Sequence, residues 1–123
     1  MKRLLTFVLL AGLTIYAEAE INYVKSVLTE VGKASWYGGK FHGKKTASGK
    51  VYDMHALTAA HRTLPFGTEV KITNVKNDKS VVVTVNDRGP FVKSREFDLS
   101  KAAFQQIGDI DSGVITIAYE ILN

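Results

Sequence analysis

The sequence contains no cysteine. That excludes disulfides, thiolate metal sites, a cysteine nucleophile and a lipid-bearing cysteine behind a leader. It also lacks any run of lysine or arginine that would mark a nucleic-acid stripe, so no nucleic-acid partner is expected. Tandem repeats and low-complexity tracts are missing as well, and 123 residues suffice for one compact domain only. The longest apolar run, Leu4 to Ala17, is shorter than the roughly 20 residues that cross a bilayer.

That run does fit a leader. Lys2 and Arg3 precede it, and Ala17-Glu18-Ala19 supplies a small-x-small exit, so residues 1–19 read as a cleaved signal peptide and the chain as exported. No membrane anchor is expected after cleavage. Two positive charges and one negative leave with the leader, taking the formal charge from +4 to a mildly basic +3. Such a balance suits an anionic polymer and is also ordinary for a secreted domain. With no disulfide available, the domain has to be held by its core.

Residues 20–31 carry scattered apolar side chains that fit a strand or a helix equally well, and are read as a lead-in to a domain over residues 32–122. Lys33 to Tyr37 reads as a strand, followed by a glycine-, lysine- and serine-rich loop over residues 38–49. Loops of this length usually have a function. Ala56 to Ala60 is a short apolar segment. Glu69 to Val75 alternates apolar and polar residues, Asn77-Asp78-Lys79 turns the chain, and Ser80 to Val85 is β-branched, which together predict a hairpin. Ser100 caps a predicted helix over residues 101–107 that Gly108 closes. At about two turns it is too short to stand alone and must dock on a sheet. Gly113 to Leu122 returns to alternation. Short strands, one or two short helices and long loops predict a mainly β, small closed barrel.

Each chemical candidate has a plain alternative. Asp87 sits where the valine-rich strand breaks into Arg88-Gly89-Pro90. Asn-Asp before Gly-Pro can be only a turn, yet a carboxylate at the end of a buried strand can be desolvated into an acid. His61 ends the segment Ala56 to Ala60, where histidine commonly serves as a structural hydrogen-bonder. His42, His55 and His61 have irregular spacing that gives no support to a metal site. Trp36, Tyr37 and Phe41 bracket the glycine-rich loop and suit either a sugar-binding cleft or a core. Thr46, Ser48 and Asn86 can bond sugar hydroxyls or satisfy loop backbone.

The ordered set ASWYG (34–38), TASG (46–49), LTAAHRTLPFGT (57–68), TNVKND (73–78), VNDRGPF (85–91) and FDLSKAAF (97–104) resembles the rare lipoprotein A family of septal-ring lytic transglycosylases. The resemblance covers nearly the whole chain after the leader. It implies a six-stranded double-psi β-barrel and an endolytic cut between N-acetylmuramic acid and N-acetylglucosamine of peptidoglycan glycan strands, leaving a 1,6-anhydro end. It further implies Asp87 as general acid and base, His61 as the residue that orients it or the substrate, and no cofactor. Trp36, Tyr37, Thr46, Ser48, Lys50, Asn86 and Arg88 are the expected substrate contacts, Arg88 through a carboxylate of substrate or fold.

The sequence departs from the family at Lys50, which stands where an acidic Glu directly follows TASG. A hydrolytic glycosidase needs two carboxyl groups, whereas the muramic acid C6 hydroxyl can attack its own anomeric carbon, so one carboxyl can give a proton and then take one. Lys50 pointing into the cleft would favour the ionised form of Asp87; paired with substrate carboxylates it would aid binding. Asp53 is a candidate replacement for the lost Glu. The rivals are a non-catalytic, expansin-like glycan-binding module, which Lys50 favours, and a hydrolytic glycosidase. With no anchoring cysteine and no repeat domain following the barrel, a lipoprotein and septal targeting are not expected.

Overall fold

The computed structural model describes residues 14–23 and 29–123. Residues 14–23 are helical and exposed, and most of the expected leader lies outside the described residues. Among the described residues no helix is long and apolar enough to cross a membrane.

From Glu30 the chain builds six strands: β1 (Glu30–Tyr37), β2 (Thr58–Ala60), β3 (Glu69–Asn74), β4 (Ser80–Asp87), β5 (Phe97–Ser100) and β6 (Val114–Ile121). They close in the order β1-β5-β2-β4-β3-β6, the expected double-psi barrel. Closure leaves no strand edge unpaired, which replaces disulfides as the means of protecting a small sheet. β3 and β4 form the predicted hairpin, with Val70 opposite Val83 and Ile72 opposite Val81. Two pairings are parallel, β1 with β5 and β2 with β4. Parallel neighbours cannot be joined by a tight turn, so long loops must cross the barrel, and these loops build the site.

Period-two alternation fills the interior. Val70 and Ile72 of β3, Val81, Val83 and Val85 of β4, Phe97 and Leu99 of β5 and Ile117 of β6 form the core, together with Ala34 and Ala59. The helix α1 (Lys101–Ile107) plugs it with Ala103, Phe104 and Ile107. Ser100 caps α1 as expected, its Oγ accepting from Ala103 N at 3.2 Å. The same hydroxyl donates to Ala56 O at 2.6 Å, tying the helix start to the entry of β2. Gly108 closes α1 through its N–H to Phe104 O, in an extended rather than left-handed conformation (φ −160°).

The four-residue β5 has no counterpart among the predicted strands. Its sequence, Phe97-Asp98-Leu99-Ser100, reads locally as the approach to a helix cap. What makes it a strand is pairing on both sides, with Ala34 to Tyr37 of β1 and with Ala59 and Ala60 of β2.

Candidate functional site

A cavity of about 350 Å³ lies on the outer face of β1, β5 and β2. Alternation decides which side chains reach it. Phe97 and Leu99 point into the core, so Asp98 between them points out. It lies opposite Ser35 on one side and Ala60 on the other. Tyr37 and Ala60 join Tyr52 in a second small apolar cluster on this face. The walls are two loops: Phe41 to Tyr52 contributes Lys44, Lys45 and Thr46, and the segment after β4 contributes Arg88 to Val92 and Arg95.

Asp87 reaches the cavity through a β-bulge. Ala59 pairs with Val85 but Ala60 pairs with Asp87, so Asn86 is an extra residue on β4. Val81, Val83 and Val85 face the core, and strict alternation would send Asp87 inward after them. The bulge re-aims it outward beside Ala60, into the same cavity as Asp98.

The two carboxylates are held differently. Asp87 Oδ1 accepts the backbone N–H groups of Ala47 (2.9 Å) and Arg88 (2.8 Å), pinning the glycine-rich loop to the end of β4. Among the described residues Asp98 Oδ1 accepts only the Ser35 hydroxyl, at 3.3 Å. Burial pushes the Asp98 carboxyl up to about 6; Ser35 and then Arg95 oppose that rise, and the charge of Asp87 adds to it. A carboxyl group of this kind carries a proton at mildly acidic pH and can donate it. Beside it the Tyr37 hydroxyl is buried next to the Thr58 hydroxyl, and burial holds it protonated, well above the usual tyrosine range.

The other expected site residues divide between cavity and scaffold. Thr46 borders the cavity, but its Oγ1 already contacts Ser48 Oγ (2.8 Å) and Lys50 O (2.7 Å), bracing the turn at Gly49, whose φ of +88° suits glycine. Ser48 and Asn86 meet through Ser48 N and Asn86 O at 3.3 Å, and Asn86 Oδ1 is buried with no partner. Lys50 is exposed and does not line the cavity. The cation that acts on Asp98 is Arg95. Asp53 turns away, accepting His55 N at 2.8 Å, so the second carboxyl group of the cavity is Asp98. Trp36 faces the opposite side, donating to Ile110 O and packing on Phe104.

His61 is buried away from the cavity and does not touch the Asp87 side chain. Its Nδ1 accepts the N–H groups of Thr63 (3.1 Å) and Leu64 (3.0 Å), which leaves Nε2–H to donate to Glu96 Oε1 at 3.0 Å. Glu96 also accepts from Arg62 Nη2 (3.1 Å), while the Tyr119 hydroxyl lies 3.2 Å from it and nearer, at 2.8 Å, to Glu30 Oε2. Arg62 reaches on to Pro90 O and Arg95 O, clamping both ends of the cavity's outer wall. Arg88 donates to His61 O and Leu64 O and stacks on Phe66, 3.9 Å from its centroid. Histidine and both arginines therefore shape the wall. Asp98 was missed by sequence reasoning; a lone acid between Phe97 and Leu99 is the signal that marks it.

A closed double-psi barrel carrying a half-buried acid next to a fixed carboxylate, in an open cavity, is the class that fold and site define. Residues 29–119 match the family model described as "Lytic transglycolase", and the chain belongs to that family. Over 92 residues it is 55% identical to the endolytic peptidoglycan transglycosylase RlpA of Neisseria meningitidis, covering 75% of this chain and 38% of the relative. It is 54% identical over 94 residues to the protein of that name from Vibrio cholerae, covering 76% and 36%. The chain thus spans little more than a third of these relatives. Among solved structures, the Streptomyces papain inhibitor superposes with a TM-score of 0.64 at 25% identity, covering 77% of this chain and 94% of that one. A mutant expansin of Clavibacter michiganensis, solved in complex with cellohexaose, superposes with a TM-score of 0.63 at 23% identity over 77% and 50% of the two chains, a likeness of fold.

Proposed function

We propose that this protein is an endolytic lytic transglycosylase of peptidoglycan glycan strands, with Asp98 as the acid and then the base. The observation that carries this reading is the half-buried Asp98 carboxyl, which has Ser35 as its one donor among the described residues and lines the same cavity as Asp87; partial burial pushes its pKa up to about 6. Asp98 gives its proton to the glycosidic oxygen as the bond to the muramic acid anomeric carbon breaks. The muramic acid C6 hydroxyl then attacks that carbon and returns a proton to Asp98, closing the 1,6-anhydro ring without water. Asp87, held by two backbone donors, supplies negative charge to the oxocarbenium-like transition state. The expectation of Asp87 as the proton donor is thereby moved to its neighbour. Tyr37 offers a neutral hydroxyl to the sugar, and His61 acts as a positioning residue through the wall it braces. The cations Lys44, Lys45 and Arg95 that border the cavity suit a glycan that carries carboxylates. Supporting the substrate are the names of the relatives, and supporting an extracytoplasmic location is the leader read over residues 1–19.

The test is mass analysis of products from sacculi and from peptide-free glycan strands. Anhydro-ended fragments are expected from the parent. Asp98→Asn should lower their yield by roughly 10²- to 10⁴-fold, the usual share of general acid catalysis. Reducing ends from water would make the protein a hydrolase. Retention on sacculi without soluble product would leave a binding module.

A further inference from the structure

The cavity beside Asp98 is small for a polymer. Its volume of about 350 Å³ stands at the low end of small-molecule pockets. A glycan strand cut in its middle must therefore continue over the surface on both sides of the scissile bond. One exit is marked. Phe91 is 87% exposed, the most exposed of the large apolar side chains among the described residues. It lines the Asp98 cavity and also a second hollow, formed with Arg62, Pro90 and Lys93. The core does not use this ring: it belongs to neither apolar cluster.

The backbone beneath Phe91 is fixed from both ends. Arg62 holds Pro90 O and Arg95 O, and Gly89 adopts a φ of +129° that favours glycine. That positive φ sets the direction in which the chain leaves Asp87 and presents Phe91. A flat apolar ring, held in solvent between two hollows, is the shape that receives the apolar face of a sugar. Lys93 on the far side supplies a cation for a carboxylate borne by that sugar.

We propose that Phe91 is a sugar-stacking platform. The hollow of Arg62, Pro90, Phe91 and Lys93 would then be a distal subsite for the next acidic sugar of the strand bound at Asp98. This rests on the reading of the Asp98 cavity as a glycan site. The platform divides the strand between a reacting subsite and a holding subsite, so affinity depends on strand length. It adds binding energy remote from the broken bond, which an endo-acting enzyme needs to capture internal segments.

The test uses the Asp98→Asn background, which holds ligand without turning it over. Binding isotherms are measured for long peptide-free glycan strands and for a disaccharide. Adding Phe91→Ala is expected to weaken long strands by about three- to tenfold, the size of one aromatic contact, and to weaken the disaccharide, which meets only the side of the ring that lines the Asp98 cavity, clearly less. Phe91→Tyr should restore long-strand affinity. Equal loss on both ligands, or no loss on long strands, overturns the subsite. So does a Phe91-dependent affinity for anionic lipid vesicles with none for glycan, which would make the ring a membrane contact. Failure of the catalytic reading looks different: the Asp98 parent would yield no anhydro product while the length-dependent effect of Phe91 persists.

Discussion

Glu96 and Asp98 are two carboxylates two residues apart, and the fold treats them oppositely. Glu96 is held by strong donors: His61 and Arg62 both reach it. Asp98 has one weak donor in Ser35, and burial pushes its pKa to about 6. A carboxylate whose lone pairs are filled stabilises structure, while one that is dried and left short of donors is unstable as an anion and useful as an acid. Adjacent positions thus separate scaffold from chemistry, and the wall of the cavity is tied to the first so that the second can stay short of partners.

The comparison can be broken by exchanging charge for amide at each position. The largest effect beyond the loss of product is on stability against pH. The folded pKa of Asp98 lies above its ordinary value of 3.8. The folded state therefore binds the proton more tightly, and this carboxyl favours folding below about pH 4 and loses that advantage as pH rises through about 6. Asp98→Asn should raise unfolding free energy at pH 7.5 by on the order of 2 kcal/mol, discounted for residual solvent contact, and change it little at pH 4. Urea titrations at the two pH values measure this. In the parent, the rate of anhydro formation should fall as pH climbs past 6.

Glu96→Gln should act in the opposite direction. It strips charge from the acceptor shared by His61 and Arg62 and should lower stability at neutral pH by about 1–3 kcal/mol, read by the same urea method. Gain at 98 and loss at 96 is the signature; destabilisation at both would mean that Asp98 too is structural. The smallest effect belongs to Lys50→Glu, which restores the acid that the resemblance led one to expect. Exposed charges contribute about 0.2–1 kcal/mol, so product formation should change less than about fivefold. A larger gain would show that Lys50 suppresses the acid.

What was legible in the sequence follows from range. The β3–β4 hairpin and the capped α1 are written in local periods, and both stand where the pattern puts them. β5 was hidden because four residues carry too little period to distinguish a strand from a cap, and only pairing with β1 and β2 decides it. Asp87 was found from its motif, but its direction was not legible, because the bulge at Asn86 is a property of the β2–β4 register. The partners of His61 were out of reach for the same reason: Glu96 lies 35 residues away. Lys50 looked consequential because sequence adjacency to Ser48 and Gly49 says nothing of which side of a loop faces a cavity.

The parallel pairings carry a consequence for timing. Ser35, Ala60, Asp87 and Asp98 come from four strands, and they meet through the parallel pairs β1 with β5 and β2 with β4, joined by the antiparallel pairing of β2 with β5. Contacts so distant along the chain make folding slow, because loop closure is costly before they form. A chain lacking β5 lacks Asp98 and its pairing with β1 and β2, so the proposed acid cannot be assembled before that strand is in place. The proposed acid is complete only in the closed barrel, so the reactivity proposed for it would be gated by folding itself.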